Sequence, residues 1–308
     1  MRQVWVAGEV LIDLIPDGSD RRPIVGGGPA NTAKALAKLG IDTQFIDGIS
    51  TDDFGELAKD ELIAAGVKLD YVKYSNKPTC LAIVSLSHLG KASYDFVLKN
   101  TATFDFTPEC LPNPLIERPA LLHIGTLGTV VEPGASVLFE WTQSVAKVAP
   151  IVFDPNVRPV VISDRKDYIK QVERWISISS AVKVSDEDLM WLYPSFEIDQ
   201  VVGNWLSKGP SLIVVTSGDQ GLVGYRLGEK VGVDSVKVVV ADTVGAGDTV
   251  SAILVEAIVR EGLSSLRGTR LKMVLKRAAK AASITVSRIG AKPPTCEELN
   301  DFFGLPEI

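Results

Sequence analysis

Histidine is nearly absent from this chain: the 308 residues include two, His88 and His123. A Ser-His-Asp relay or a multi-histidine metal centre has almost nothing to draw on. Acid–base chemistry therefore falls to carboxylates or lysine. His123 lies in an apolar run and reads as a strand-end residue with a satisfied ring. Cysteine is scarce too. Cys80, Cys110 and Cys296 stand far apart with no CxxC pair. That speaks against a disulfide framework or a structural zinc site and for free thiols in a reducing compartment. There is no basic excess; the formal net charge is -6. A nucleic-acid partner, which needs a basic face to displace counterions, is not expected. No apolar run approaches the roughly 18 residues of a membrane span. The opening Met1–Glu9 lacks the apolar region and small-residue cleavage site of a signal peptide. The cytoplasm is the expected address, with no membrane partner. No Gly-x4-Gly-Lys-Ser/Thr stretch occurs, which excludes a P-loop kinase.

What is present is a large apolar inventory in a regular alternation. Hydrophobic residues make up 46% and charged residues 23%, a globular balance. Short β-branched runs lie at 4–7, 44–49, 81–86, 120–124, 150–153, 181–184 and 212–216. A meander is expected at 222–226 and 236–240. Helix-period stretches fall between many of them, at 30–39, 54–65, 134–148, 166–178, 187–193, 199–206, 249–260 and 271–286. Strands alternating with helices predict an α/β fold around a mostly parallel sheet. A single domain over 1–308 is expected. Two segments break the alternation. Residues 14–25 carry Pro16, Gly18 and Pro23 without helical period. Residues 79–97 read as a hairpin turning near Gly90. Both are expected to leave the main sheet as a small β lid, with Tyr94 and Phe96 as lid aromatics.

Six stretches carry the chemistry. Asp242-Thr243-Val244-Gly245-Ala246-Gly247-Asp248 precedes an amphipathic helix. Glycines on either side of Ala246 let consecutive N–H groups face one concavity, and the helix adds its positive end. That geometry suits a phosphate, and Asp248 would accept the proton of an attacking hydroxyl. Spacing alone leaves Asp248 open between this role and a helix N-cap. Gly26-Gly27-Gly28-Pro29-Ala30-Asn31 opens an earlier helix, with Pro29 suited to its first turn. Asp13 follows the first strand, near where open sheets bind ligands. Asp154-Pro155-Asn156-Val157-Arg158 gathers a carboxylate, an amide and a guanidinium at another strand end. Lys183-Val184-Ser185-Asp186-Glu187-Asp188 ends the 181–184 strand in an acidic cluster that could hold Mg²⁺ through water or complement a helix dipole. Thr216-Ser217-Gly218-Asp219-Gln220-Gly221 ends a buried strand in a glycine turn.

Together these stretches resemble the ribokinase-like (pfkB) carbohydrate kinases, and the resemblance spans nearly the whole chain. It implies a three-layer sandwich with a β-sheet lid, and ATP-dependent phosphorylation of a sugar. By this resemblance Asp248 is the base, and Gly245, Ala246 and Gly247 form the anion hole. Asp13, Gly27, Gly28 and Asn31 would hold the sugar, with Arg158 beside them. Thr216, Gly218, Gly221 and Ser185 would face the nucleotide. The family's Asn-x-x-Glu motif, linked to magnesium, falls on Ser185-x-x-Asp188, so Asp188 or Glu187 would serve the metal. Ala279 stands where ribokinases often carry Asn. ATP and Mg²⁺ are the implied cofactors, and parts of the family also bind a monovalent cation such as K⁺. Gly8-Glu9-x-x-x-Asp13, Gly27–Asn31 and Asp154-Pro155-Asn156-x-Arg158 look most like the fructokinase branch. A 2-keto-3-deoxygluconate kinase is the alternative. Gly28-Pro29-Ala30 supplies no cation for a phosphorylated sugar. Neither glycine stretch completes the Gly-x-Gly-x-x-Gly of a Rossmann oxidoreductase. A non-catalytic sugar or nucleotide sensor would keep the same glycines. The lid is the expected face of a homodimer.

Overall fold

A computed structural model describes residues 2–86, 92–162 and 164–302. The strands are β1 (Val4–Ala7), β2 (Leu11–Asp17), β3 (Asp20–Gly26), β4 (Thr43–Ile46), β5 (Gly48–Ser50), β6 (Lys73–Ser75), β7 (Leu81–Leu86) and β8 (Ala92–Val97). They continue as β9 (Leu121–Gly125), β10 (Ile151–Asp154), β11 (Ala181–Ser185), β12 (Leu212–Thr216), β13 (Leu222–Arg226) and β14 (Glu229–Val233). The helices are α1 (Gly28–Lys38), α2 (Asp53–Ala64), α3 (Pro114–Glu117), α4 (Gly134–Val145) and α5 (Arg165–Ile176). The rest are α6 (Asp186–Leu192), α7 (Ile198–Leu206), α8 (Ala246–Glu261), α9 (Gly268–Val286) and α10 (Cys296–Asp301). No helix among the described residues is long and apolar enough to cross a membrane.

Eight strands form the main sheet in the order β14-β13-β12-β11-β10-β9-β1-β4. All its pairings are parallel except β12–β13 and β13–β14. Period-two alternation divides each strand between two cores. Val4, Val6, Val152, Leu212 and Val214 pack with α1, α8 and α9 residues such as Leu36, Val255 and Leu275. Trp5, Ala7, Phe153, Val182 and Val215 pack with Leu138, Trp175, Leu189 and Trp205 of α4 to α7. Helix, sheet and helix thus make three layers. Because both faces are covered, the strands read as continuous apolar runs.

A second sheet, β3-β2-β7-β8, stands apart from the main one. It contains the two segments that broke the alternation. Pro23 sits on β3, an edge strand, where its missing N–H costs nothing in the ladder. The expected turn at Gly90, with His88, lies outside the described residues. So does the side chain of Tyr94.

Two expected strands are corrected. The 44–49 run divides at Asp47 into β4 of the main sheet and β5, which pairs with β6 instead. Asp47 accepts from the N–H groups of Val10 and Gly48, both at 2.7 Å, and this fixes the bend. The 236–240 run is no strand. Glu229–Val233 takes the edge position, and the chain then leaves the sheet with Val239 77% exposed. β-Branched content favours a strand only where a neighbour offers a ladder to join.

Candidate active site

The parallel strands β1, β9, β10, β11 and β12 end at Ala7, Gly125, Asp154, Ser185 and Thr216. The chemistry-bearing residues follow these ends, at the carboxyl edge where open α/β sheets bind ligands. Two cavities open there. One, of about 610 Å³, is lined by Glu9, Asp13, Gly28, Asn31, Arg158, Lys183 and Asp248, with Phe96 of the lid above. The other, of about 690 Å³, is lined by Thr216, Gly218, Gly221, Ala279, Ser283 and the 235–238 segment. Thr243 and Gly247 border both. The cavities therefore adjoin at the turn before α8.

That turn is built by glycine. Gly245 is the N-cap of α8 at φ 81. A Cβ there would stand 2.7 Å from the Cβ of Ala291. Asp248 lies in the first turn of the helix and is not its cap. Its Oδ2 instead accepts from Asn31 Nδ2 at 2.9 Å. Burial pushes its pKa up to about 6; Lys183 pulls it down, Asp154 pushes it up, and Asn31 and Arg158 pull it down. It is a carboxylate held near the range where a general base works well. Asn31, expected at the sugar, tethers the Asp248 carboxylate with its amide, while its buried Oδ1 has no partner among the described residues.

Gly28 faces this carboxylate. A Cβ on it would meet Thr126 Oγ1 at 2.7 Å, Asn156 Nδ2 at 2.9 Å and Asp248 Oδ1 at 3.3 Å. Thr126 and Asn156 both have positive φ, 54° and 38°, and Asn156 Nδ2 donates to Thr126 Oγ1 at 3.2 Å. Backbone strain of this kind gathers at functional sites. Gly27 has φ 105 and packs on the carbonyl of Glu9. Asp13 is not in a loop; it lies on β2, with its carboxylate over Gly26. Burial raises its pKa to about 6, against the pull of Arg158 and Lys34. Glu9 is fully buried, and desolvation lifts it to about 8. Its Oε2 accepts from Gly128 N at 3.1 Å, and its Oε1 has no partner among the described residues.

Ser185 and Asp188 form a capping box at the start of α6. Asp188 Oδ1 also accepts from Val157 N at 2.9 Å, so its carboxylate is committed to backbone. Glu187 lines both the 610 Å³ cavity and a smaller one beside Arg158 and Ser185. Among the described residues no group of three His, Cys, Asp or Glu side chains converges on a metal. A single cavity-lining carboxylate such as Glu187 fits the chemistry of Mg²⁺, which keeps most of its own water.

Sequence reasoning missed Lys183, Thr126 and the buried state of Glu9. Lys183 Nζ is buried and pairs with Asp154 Oδ2 at 3.0 Å. A lysine in an apolar strand was visible as a signal, but not the direction of its ammonium group. His123 is also corrected. Neither ring nitrogen has a partner among the described residues, and burial depresses its pKa to about 4, so it is neutral.

Comparison with known proteins agrees with this geometry. The family description "pfkB family carbohydrate kinase" matches residues 1–298. The chain belongs to the pfkB carbohydrate kinase family. A fructokinase of Rhizobium leguminosarum bv. trifolii is 35% identical over 86% of this chain and 82% of its own. Among solved structures, the Xylella fastidiosa fructokinase with bound ATP superposes at TM-score 0.89 with 24% identity, covering 97% of each chain. A double mutant of the Vibrio cholerae O395 fructokinase, with fructose, ADP and potassium ion bound, superposes at 0.85 with 25% identity and 98% coverage of each. The three-layer α/β fold with its lid sheet is the ribokinase-like one, and the chain is a phosphotransferase acting on a sugar hydroxyl.

Proposed function

We propose that this kinase transfers the γ-phosphoryl group of ATP to D-fructose, giving fructose 6-phosphate and ADP. One observation carries the reading: two ligand-sized cavities meet at a glycine turn beside a buried carboxylate. The sugar would occupy the cavity of Asp13, Gly28 and Arg158, and ATP the cavity of Thr216, Gly218 and Ala279. Asp248 takes the proton of the attacking hydroxyl as its oxygen bonds to the γ-phosphorus. The bond to the bridging oxygen of ADP breaks in line. The transition state is loose, so positioning and charge stabilisation dominate. The N–H groups of Gly245, Ala246 and Gly247 receive the migrating negative charge. Magnesium, when bound, neutralises the phosphate charge. Glu187 would hold it through water. The lid sheet would close over the sugar and exclude water as a competing acceptor.

The Rhizobium and Vibrio fructokinases support fructose as the acceptor. The potassium in the Vibrio structure supports a trial of K⁺ against Na⁺. Three free cysteines suit a reducing cytoplasm. A second copy would pair through β8, the lid edge without proline. The deciding assay is coupled ADP release against fructose, glucose, ribose, 2-keto-3-deoxygluconate and fructose 6-phosphate. Fructose is expected to give the highest kcat/KM. A preference for 2-keto-3-deoxygluconate would move the substrate, and no sugar-dependent ADP release would overturn the kinase reading.

A further inference from the structure

We propose that Lys183 is a positioning residue of the transfer centre: its ammonium ion, fixed by Asp154 beneath the glycine turn, supplies the standing positive charge that keeps Asp248 able to accept a proton. The proposal rests on the kinase reading above and adds a residue to it. Lys183 lies on β11, on the sheet face it shares with His123 and Asp154. Its Nζ is 3.0 Å from Asp154 Oδ2, the oxygen that also accepts from Ser251 Oγ of α8 at 3.1 Å. A Cβ at residue 247 would stand 2.7 Å from Nζ. The ammonium group therefore presses against the backbone of the turn itself, and glycine at 247 makes room for it.

The charges around Asp248 come from several elements. Glu9 faces it from the loop after β1, Asp154 and Arg158 from β10 and its loop, Lys183 from β11, and Asn31 from α1. Asp188 of α6 and His123 of β9 face Lys183. Glu9 and His123 are neutral near pH 7, as burial dictates. Burial also opposes charge on Lys183, but Asp154, Asp248 and Asp188 outweigh it and raise its pKa. Lys183 is thus a fixed cation. On Asp248 its pull exceeds the opposing push of Asp154. With Nζ against the turn that carries Asp248, the two charges of the pair act on that carboxylate unequally.

The order of those two effects sets the test. Lys183→Met alone strands the buried Asp154 carboxylate and can fail to fold. Lys183→Met with Asp154→Asn removes both charges and keeps the core balanced. The acid limb of kcat/KM for fructose, the melting temperature and ATP affinity would be measured for wild type and the double variant. Melting and ATP binding are expected near wild type. The acid limb is expected to move to higher pH, by on the order of one unit or less. Activity would then fall more at pH 6 than at pH 8.5. Carbon-13 carboxyl NMR of Asp248 would follow the same movement without turnover, so failure of the kinase reading is told apart from failure of this one. An Asp248 titration unmoved in the double variant would overturn the proposal and leave the pair purely structural.

Discussion

Asp248→Asn separates catalysis from stability at one atom. Asparagine keeps the shape and still offers an oxygen to Asn31 Nδ2, now bonded at 2.9 Å. It loses the basic oxygen. General-base catalysis contributes roughly 10²–10⁴-fold, so kcat should fall by about that factor. Stability should move the other way. Burial lifts the native pKa of Asp248 from 3.8 to about 6. At 1.36 kcal/mol per pH unit this charged carboxylate costs the native state ~3 kcal/mol. The cost is absent below pH 3.8, where folded and unfolded forms are both protonated. It grows as pH rises and is complete above about 6. The amide is neutral throughout. The variant should therefore melt roughly 4–6 °C higher than wild type at pH 8, at about 2 °C per kcal/mol for a large chain. At pH 4 the two should nearly coincide. Calorimetry at both pH values and coupled ADP release would be run on the same preparation. A variant that melts lower at pH 8, or turns over near the wild-type rate, would refute the reasoning. Active sites often carry such a stability cost.

Gly28→Ala should cost on the order of 10²-fold in kcat with native circular dichroism, because its Cβ would displace Thr126, Asn156 and Asp248 together. An active variant would show that the three can retreat. Asp13→Ala should raise the KM for fructose roughly 10–100-fold, the worth of charged hydrogen bonds, with the KM for ATP unchanged; an unchanged sugar KM would remove Asp13 from the site. Glu187→Gln should raise the half-saturating Mg²⁺ concentration by roughly tenfold, and an unaltered magnesium titration would take Glu187 away from the metal.

Much of this architecture could be read along the chain. β1, β7, β12 and β13 fall where short apolar runs predicted them. The lid announced itself through prolines and a lost helical period. The glycine turns at 26–28 and 245–247 marked both ends of the site, because a ligand's close approach to backbone demands residues without a Cβ. Local composition carries those signals. It does not carry partners. The 236–240 run has strand composition but no ladder. Ser185 and Asp188 satisfy a helix end, a task that composition cannot tell from metal binding. Asn31 and Asp248 are 217 residues apart, and their bond exists only when α1 and α8 pack side by side.

The sequence by itself determined the alternating α/β plan, the two glycine turns and the presence of one carboxylate at the second of them. It left that carboxylate open between cap and base. The tertiary structure removed the cap reading by giving the cap to Gly245, and it buried Asp248 against Asn31. It also brought Lys183 beneath Gly247 from a strand some sixty residues earlier in the chain. A residue's type is local, but its charge acts through space, and only the folded chain sets those distances.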